Sequence, residues 1–387
     1  MDKVLDLEII AKENEKYLDE AKLHTQYKIK YIKDYVRRWL NVAVNYRQRN
    51  IVFIDSMCNA GIYKNGIKGT CIEVIELFIE HAKENEAKQF YVFLNDYDKD
   101  KINVLKDLIS NYNIPNNLRI NITDKDVVEY LSLLIEKNTF SSSCFTLLYI
   151  DPYNFGIPNL LATIKRFIDK FYCELLFNYF SSDVTRNKKN TSAKNKMSKI
   201  KNELSSVITD INIEDDENKE ILNKLISTYK HTNNIKYSFA YRFNNTNNAE
   251  LYYIIFFTPN KRGLELIKES IWEVFNGEES FKKQIDIDKS QLKLFNTNDL
   301  LISTYSGSMK ESIIKLAYEK KELSYEDIET YVLENSLLKD SHIIKPIINP
   351  LLEGGILEKV TPAGVRKNNY KESKYKINDK IWYNSIR

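Results

Sequence analysis

Five short apolar runs alternate with helix-patterned segments through the first half of this chain, and that alternation limits the fold more than any other feature. The runs lie at residues 51–55, 90–95, 118–122, 145–150 and 173–178. Helical periodicity fills 71–87, 98–111 and 126–136, and a further helix starts near Pro158. Parallel strands need a crossover of helix length, so this order predicts a mostly parallel, doubly wound α/β sheet. Ligands of such sheets bind outside the carboxyl ends of the strands. The residues that follow each run are therefore where function is expected.

On either side the texture differs. Residues 5–47 carry a 3.6-residue apolar period with no Pro or Gly and read as helical, with a stripe of aromatic and aliphatic residues from Tyr27 to Leu40. Two β-rich runs, Ile235–Phe243 and Glu250–Thr258, flank an Asn-rich turn and read as an antiparallel hairpin. After residue 300, helices at 308–320, 324–336 and 341–354 precede strand-like pieces at 355–360 and 373–378, a winged-helix order. The expected organisation is an N-terminal helical extension (1–48), a sheet domain (49–298) with a basic insert at about 184–232, and a winged-helix-like domain (299–387).

Composition narrows the class. With 387 residues, 43% of them hydrophobic, the chain can build two compact units or one enlarged one. Its 57 basic and 54 acidic residues nearly balance, so no global field marks a nucleic-acid partner and local basic stretches must supply it. The four cysteines (Cys58, Cys71, Cys144, Cys173) form no CxxC pair and have no His at ligand spacing, which argues against a metal module. No apolar run approaches the roughly 18 residues of a membrane span, and no signal peptide opens the chain. A reduced, cytoplasmic protein is expected.

The first strand ends in Asp55-Ser56-Met57-Cys58-Asn59-Ala60-Gly61. This occupies the frame of an acid–x–Gly–x–Gly–x–Gly cofactor loop but keeps only the last glycine. Asn tolerates left-handed backbone better than most residues, so Asn59 is a workable substitute. Thr70 is expected to cap the next helix. The second strand ends in Asn95-Asp96-Tyr97-Asp98, where Asp96, or alternatively Asn95, could accept hydrogen bonds from ribose hydroxyls while Asp98 caps a helix. After the third strand, Asp124 could accept from an adenine amine, and Asp126 reads as a helix cap.

The fourth strand stops at Asp151-Pro152-Tyr153. The carboxylate can hold an amine or a hydroxyl, the proline stiffens the turn, and the tyrosine can stack on a flat base. Beside it, the fifth strand ends at Asn178, an orienting group. Then come Arg186, Lys188, Lys189, Lys194, Lys196, Lys199 and Lys201, seven cations over sixteen residues without an acid. These could track a phosphate backbone, or form a merely solvated loop. From Lys359 to Arg387, including Arg366 and Lys367, eight cations face two acids.

Taken in order, these residues resemble the three-Cys-motif partner family of bacterial proteins. The matching pieces are Lys22-Leu23-His24 with Tyr35 and Trp39, Phe53-Ile54-Asp55 through Gly61, and Gly66 with Gly69. They continue with Asp151 through Gly156, Asn178-Tyr179 with Arg186, and Tyr252 through Gly263 with Lys268 and Trp272. The resemblance spans roughly residues 20–290. It departs at Asn59, where the family has glycine, and at Asn95, where it often has Glu. It implies a class I methyltransferase-like (Rossmann-like) fold and a radical-SAM-like partner encoded nearby. The expected activity is S-adenosylmethionine-dependent methylation of nucleic acid. Cofactor would lie over Asp55, Ser56, Asn59, Gly61, Asp96 and Asp124, and the acceptor would face Asp151, Pro152, Tyr153 and Asn178. The alternative is a catalytically inactive nucleic-acid-binding or adaptor protein that keeps the fold, since the glycine cradle is depleted.

Overall fold

A computed structural model describes residues 7–47, 49–140, 144–188, 194–212, 215–245, 247, 249–281, 297–362, 366 and 369–378. The chain divides into two compact units. One runs to Gly263 and includes the strand Ser280–Phe281; the other holds Leu264–Glu279 and the helices and strands from Thr297 onward.

The first unit opens with helices α1 (Leu7–Glu13) and α2 (Leu23–Ala43). Then β1 (Asn50–Asp55), α3 (Thr70–Glu84), β2 (Gln89–Asn95), α4 (Lys99–Ile109), β3 (Leu118–Thr123), α5 (Val127–Glu136), β4 (Cys144–Ile150), α6 (Leu160–Lys170) and β5 (Cys173–Tyr179) alternate as expected. Helices α7 (Ser181–Lys188), α8 (Lys194–Ser205) and α9 (Asn218–Lys230) precede the hairpin β6 (Tyr237–Asn244) and β7 (Glu250–Thr258); helix α10 (Lys261–Phe275) follows and belongs to the second unit from Leu264 on, and β8 (Ser280–Phe281) belongs again to the first. Among the described residues the sheet runs β3-β2-β1-β4-β5-β7-β6-β8. Strands β1 to β5 are parallel, and β7 lies antiparallel between β5 and β6. That is the Rossmann-like methyltransferase arrangement. Strand β5 is buried at every position and β1 at all but its first, which is why they read as unbroken apolar runs.

The helices start where the sequence offers caps. Asp98 accepts from the backbone N–H groups of Asp100 and Lys101, and Asp126 from those of Val128 and Glu129. Thr70 is not a cap: Gly69 takes that position and Thr70 is the buried first residue of α3. The N-terminal stretch is not one helix either. It breaks between Glu13 and Leu23 because residues 18–22 are drawn onto the loop after β1, where Lys64 N–H donates to the Asp19 carbonyl at 2.9 Å. With Leu18 and Ala21 both buried, the apolar pattern gives no sign of the break.

The basic insert is not a solvated loop. Ile200 and Leu204 of α8 and Ile221 and Leu225 of α9 are fully buried in the core that also holds Leu148, Ile164 and Phe177. All four cysteines are buried thiols outside any disulfide, Cys144 and Cys173 within that same core.

In the second unit α11 (Thr297–Lys320) starts earlier than its periodicity suggests. It is followed by β9 (Glu322–Ser324), α12 (Tyr325–Asn335), a π-helical segment Ile344–Ile348, α13 (Asn349–Glu353), β10 (Leu357–Val360) and β11 (Lys374–Ile377). Strand β11 pairs antiparallel with β10 on one side and β9 on the other, adding a third strand to the expected hairpin. The division after Gly263 lies upstream of the expected boundary at 298. Lys268 and Trp272 of α10 explain it, because they donate to the carbonyls of Ser336 (2.5 Å) and Leu337 (2.7 Å) at the end of α12.

Candidate active site

Three strand ends and the turn after β4 converge on one cavity. It encloses about 280 Å³ and is lined by Ser56 and Met57 after β1, Asn95, Asp96 and Tyr97 at the end of β2, and Lys125, Asp126 and Val127 after β3. Tyr153, Asn154 and Ile157 complete the wall. The volume is just below the roughly 300–1,000 Å³ of ligand clefts and suits a nucleoside-sized group.

Ser56 and Met57 lead into a turn held by side chains where the expected glycines are missing; of the expected cofactor residues, Asp55, Asn59 and Gly61 lie outside the cavity lining. Asn59 adopts φ +59°, its Oδ1 accepts from the Ala60 N–H at 2.6 Å, and its Nδ2 reaches Asp19 at 3.4 Å. Asparagine thus serves the left-handed position by hydrogen-bonding its own backbone. Gly61 (φ +76°) could not be replaced in kind, since a Cβ there would lie 2.7 Å from Leu105 and 2.8 Å from Ile72. A Cβ on Gly69 would meet the Gly61 carbonyl carbon at 3.2 Å, so the turn closes on the start of α3 backbone to backbone.

Asp96 braces this turn. One carboxylate oxygen accepts from the Asn59 N–H at 2.9 Å and the other from the Asp98 N–H at 3.0 Å. Each oxygen keeps a lone pair for a ligand. Burial raises its pKa against those two hydrogen bonds. Asn95 plays a structural part. It donates to the carbonyls of Ser56 (3.1 Å) and Lys125 (2.9 Å) and accepts from Thr123 (2.8 Å) and the Lys125 N–H (3.0 Å), locking three strand ends together. Asp124 is half-exposed, 3.8 Å from Lys99, and lies outside the cavity lining; Asp126 and Val127 stand there instead.

A second cluster lies at the ends of β4 and β5. Asp151 accepts from Lys28 Nζ (2.5 Å) and Tyr149 Oη (3.0 Å) on one oxygen and from Asn178 Nδ2 (2.6 Å) on the other. Lys28 comes from α2, is buried, and sits 5.5 Å from the centre of the Tyr252 ring. Burial chiefly, and then the charge of Lys28, lowers His24 one turn earlier to about 4 and keeps its imidazole neutral. Asp55, fully buried, feels the charges of both Asp151 and Asp96; burial first, then that repulsion, pushes its carboxyl well above the usual range.

Asp151, Asn178 and Pro152 are thus brought together, whereas Tyr153 turns to the cavity wall. Its hydroxyl accepts from Lys101 at 2.7 Å, and Lys101 also pairs with Asp19 at 2.8 Å. Of the expected phosphate-tracking cations, Arg186 and Arg366 are exposed. Lys188 is bound to the Asp216 carbonyl, and Lys196 lies 3.6 Å from Asp183. Lys194 sits on α8, while Lys189 and Lys367 lie outside the described residues.

Lys28 and Tyr252 belong to this cluster although neither was among the candidate site residues. Lys28 had a signal: it occupies the buried stripe of α2 that continues through Tyr31, Ile32, Tyr35 and Trp39. A lysine on such a face needs a buried partner.

No protein-family model matches the chain, and no curated protein matches it. Among solved structures it is similar to a Legionella pneumophila protein of the family DUF519, at 13% identity over 65% of this chain and 93% of that one, TM-score 0.38. A Klebsiella pneumoniae protein provisionally described as an O-methyltransferase is 10% identical over 65% and 89%, TM-score 0.35. A Listeria monocytogenes protein provisionally described as a class I S-adenosylmethionine-dependent methyltransferase is 10% identical over 66% and 70%, TM-score 0.31. The fold assignment rests on the strand order.

Proposed function

We propose that the chain is an S-adenosylmethionine-dependent methyltransferase acting on nucleic acid. The observation that carries this reading is the adjacency of two unlike sites at the strand ends of one Rossmann-like sheet. A nucleoside-sized cavity lies over Ser56 and Asp96, and a buried ion-paired cluster lies around Asp151.

The residues present fit the cofactor. Asp96 offers spare lone pairs to ribose hydroxyls, Val127 and Ile157 give apolar walls for a base, and Tyr97 and Tyr153 flank the opening. S-adenosylmethionine, when bound, supplies a methyl group activated by its sulfonium. The chain's part is to hold the acceptor in line, since alignment supplies most of the rate in such transfers. Asp151 keeps its geometry through three donors, and the stiff Pro152 turn carries Tyr153 to the cofactor side. Arg186 and Arg366 are candidate phosphate contacts.

In motif order the chain resembles the three-Cys-motif partner family, and that resemblance implies a radical-SAM-like protein as partner. The second reading, an inactive nucleic-acid-binding or adaptor protein, draws on the missing glycines and on Asp124 lying outside the cavity lining. Incubation of the full chain with methyl-labelled S-adenosylmethionine and bulk RNA, DNA or protein separates the two. Label in nucleic acid that disappears with Asp151→Ala supports the enzyme; no label in any fraction supports the adaptor.

A further inference from the structure

The cluster around Asp151 holds two buried polar atoms that have no hydrogen-bond partner among the described residues: Asn178 Oδ1 and the hydroxyl of Tyr252. Neither position is accidental. Asn178 is fully buried and its Nδ2 donates to Asp151, which fixes the amide so that its other end must be an acceptor. Asn178 stands opposite Ile254 in the β5–β7 register, and Tyr252 projects from the same face two residues away. The Asp151 carboxylate, by contrast, is already taken by Lys28, Tyr149 and Asn178. A buried polar group without a partner calls for an explanation, and a ligand that completes the hydrogen bonding is one. The walls around Tyr252 are flat: Phe180 lies 5.4 Å and Phe243 4.9 Å from its ring centre, and the neutral His24 ring meets it edge-on at 6.0 Å.

We infer that Asn178 and Tyr252, positioned by the Lys28–Asp151 pair, bind the amine-bearing edge of an unpaired adenine or cytosine. An exocyclic amine donates its N–H to Asn178 Oδ1, and the ring nitrogen beside it accepts from the Tyr252 hydroxyl. Asp151 then acts as an anchor for Asn178 and does not itself grip the amine. Lys28 is a positioning residue, brought in by the N-terminal helix to hold that anchor. The inference rests on the acceptor side of the reading above and names its substrate class.

The test measures binding, with no turnover. Fluorescent single-stranded oligomers of A and of C are titrated with the full chain, each against the same oligomer carrying an N,N-dimethylated exocyclic amine, which has no N–H to donate. At least tenfold weaker binding of a dimethylated oligomer is expected, from loss of one buried hydrogen bond. Tyr252→Phe should lower affinity for the unmodified oligomer, Asn178→Ala should abolish the preference, and Lys28→Arg should retain what Lys28→Ala loses. Equal affinities for both pairs of oligomers, or a preference that survives Asn178→Ala, would overturn the inference. S-adenosylhomocysteine is titrated into the same samples. Its binding without base preference defeats this inference alone, and base preference without its binding defeats only the methyltransferase reading.

Discussion

Lys28 and Asp151 are 123 residues apart in sequence and 2.5 Å apart in the fold, with side chains 9% and 20% exposed. Removing one member of such a pair leaves the other charge buried without compensation. Asp151→Ala is therefore expected to cost about 3 kcal/mol, the bottom of the range because the carboxylate keeps some solvent. Lys28→Met combined with Asp151→Ala should cost less than the two separately, by a coupling of about 1–2 kcal/mol in urea unfolding. Additive losses would mean that the pair is solvated. Glu174 makes a second residue-scale statement. It is fully buried, accepts from Tyr35 (2.5 Å) and Thr258 (2.7 Å), and burial raises it to about 7 against the pull of those bonds. With the folded pKa above the unfolded one, its contribution is fully present below about 4.5 and falls away as pH rises to about 7. Stability should drop by up to ~3 kcal/mol across that window. Glu174→Gln should flatten the dependence, as measured by unfolding from pH 4.5 to pH 8.

At the scale of elements, the turn after β1 offers a controlled comparison. Gly61 and Gly66 both have positive φ, but a Cβ on Gly61 would strike Leu105 and Ile72, whereas one on Gly66 would only touch Glu8 at 3.4 Å. Gly66→Ala should cost about 1–2 kcal/mol from backbone alone, and Gly61→Ala about 2–4 kcal/mol from backbone plus overpacking. Equal losses in urea melts would show that the cradle relaxes around the added methyl. The same elements show what sequence could reveal. Strands β1, β4 and β5 were legible because burial on both faces makes them nearly unbroken apolar runs, β2 and β3 because of their place between helix-patterned segments, and Asp98 and Asp126 were legible as caps because capping is a local interaction. The break before α2 was not, because a hydrogen bond from Lys64 to Asp19 makes it rather than a Pro or Gly. Strand β9, three residues long, carries no period and exists only through pairing with β11. Lys28, Glu174 and Tyr252 owe their roles to neighbours far along the chain, and motif spacing is silent about those.

For the whole molecule, the two units carry different parts of the account. The first contains the cavity and the Asp151 cluster; the second carries helices and a small antiparallel sheet, with Pro346 inside the π-helical segment Ile344–Ile348. Its basic tail is partly spent internally, since Lys374 and Lys376 both pair with Glu322 at 2.6 and 3.1 Å. Nucleic-acid affinity should therefore fall with salt at the slope of few phosphate contacts. Filter binding across an ionic-strength series checks this, and a steep slope would mean that cations outside the described residues dominate. We propose that the first unit holds S-adenosylmethionine over Asp96. Titration calorimetry of the full chain with S-adenosylmethionine tests it most directly. The account predicts saturable binding below millimolar ligand that Asp96→Ala weakens at least tenfold; no heat of binding at millimolar ligand, or binding indifferent to Asp96→Ala, would contradict it.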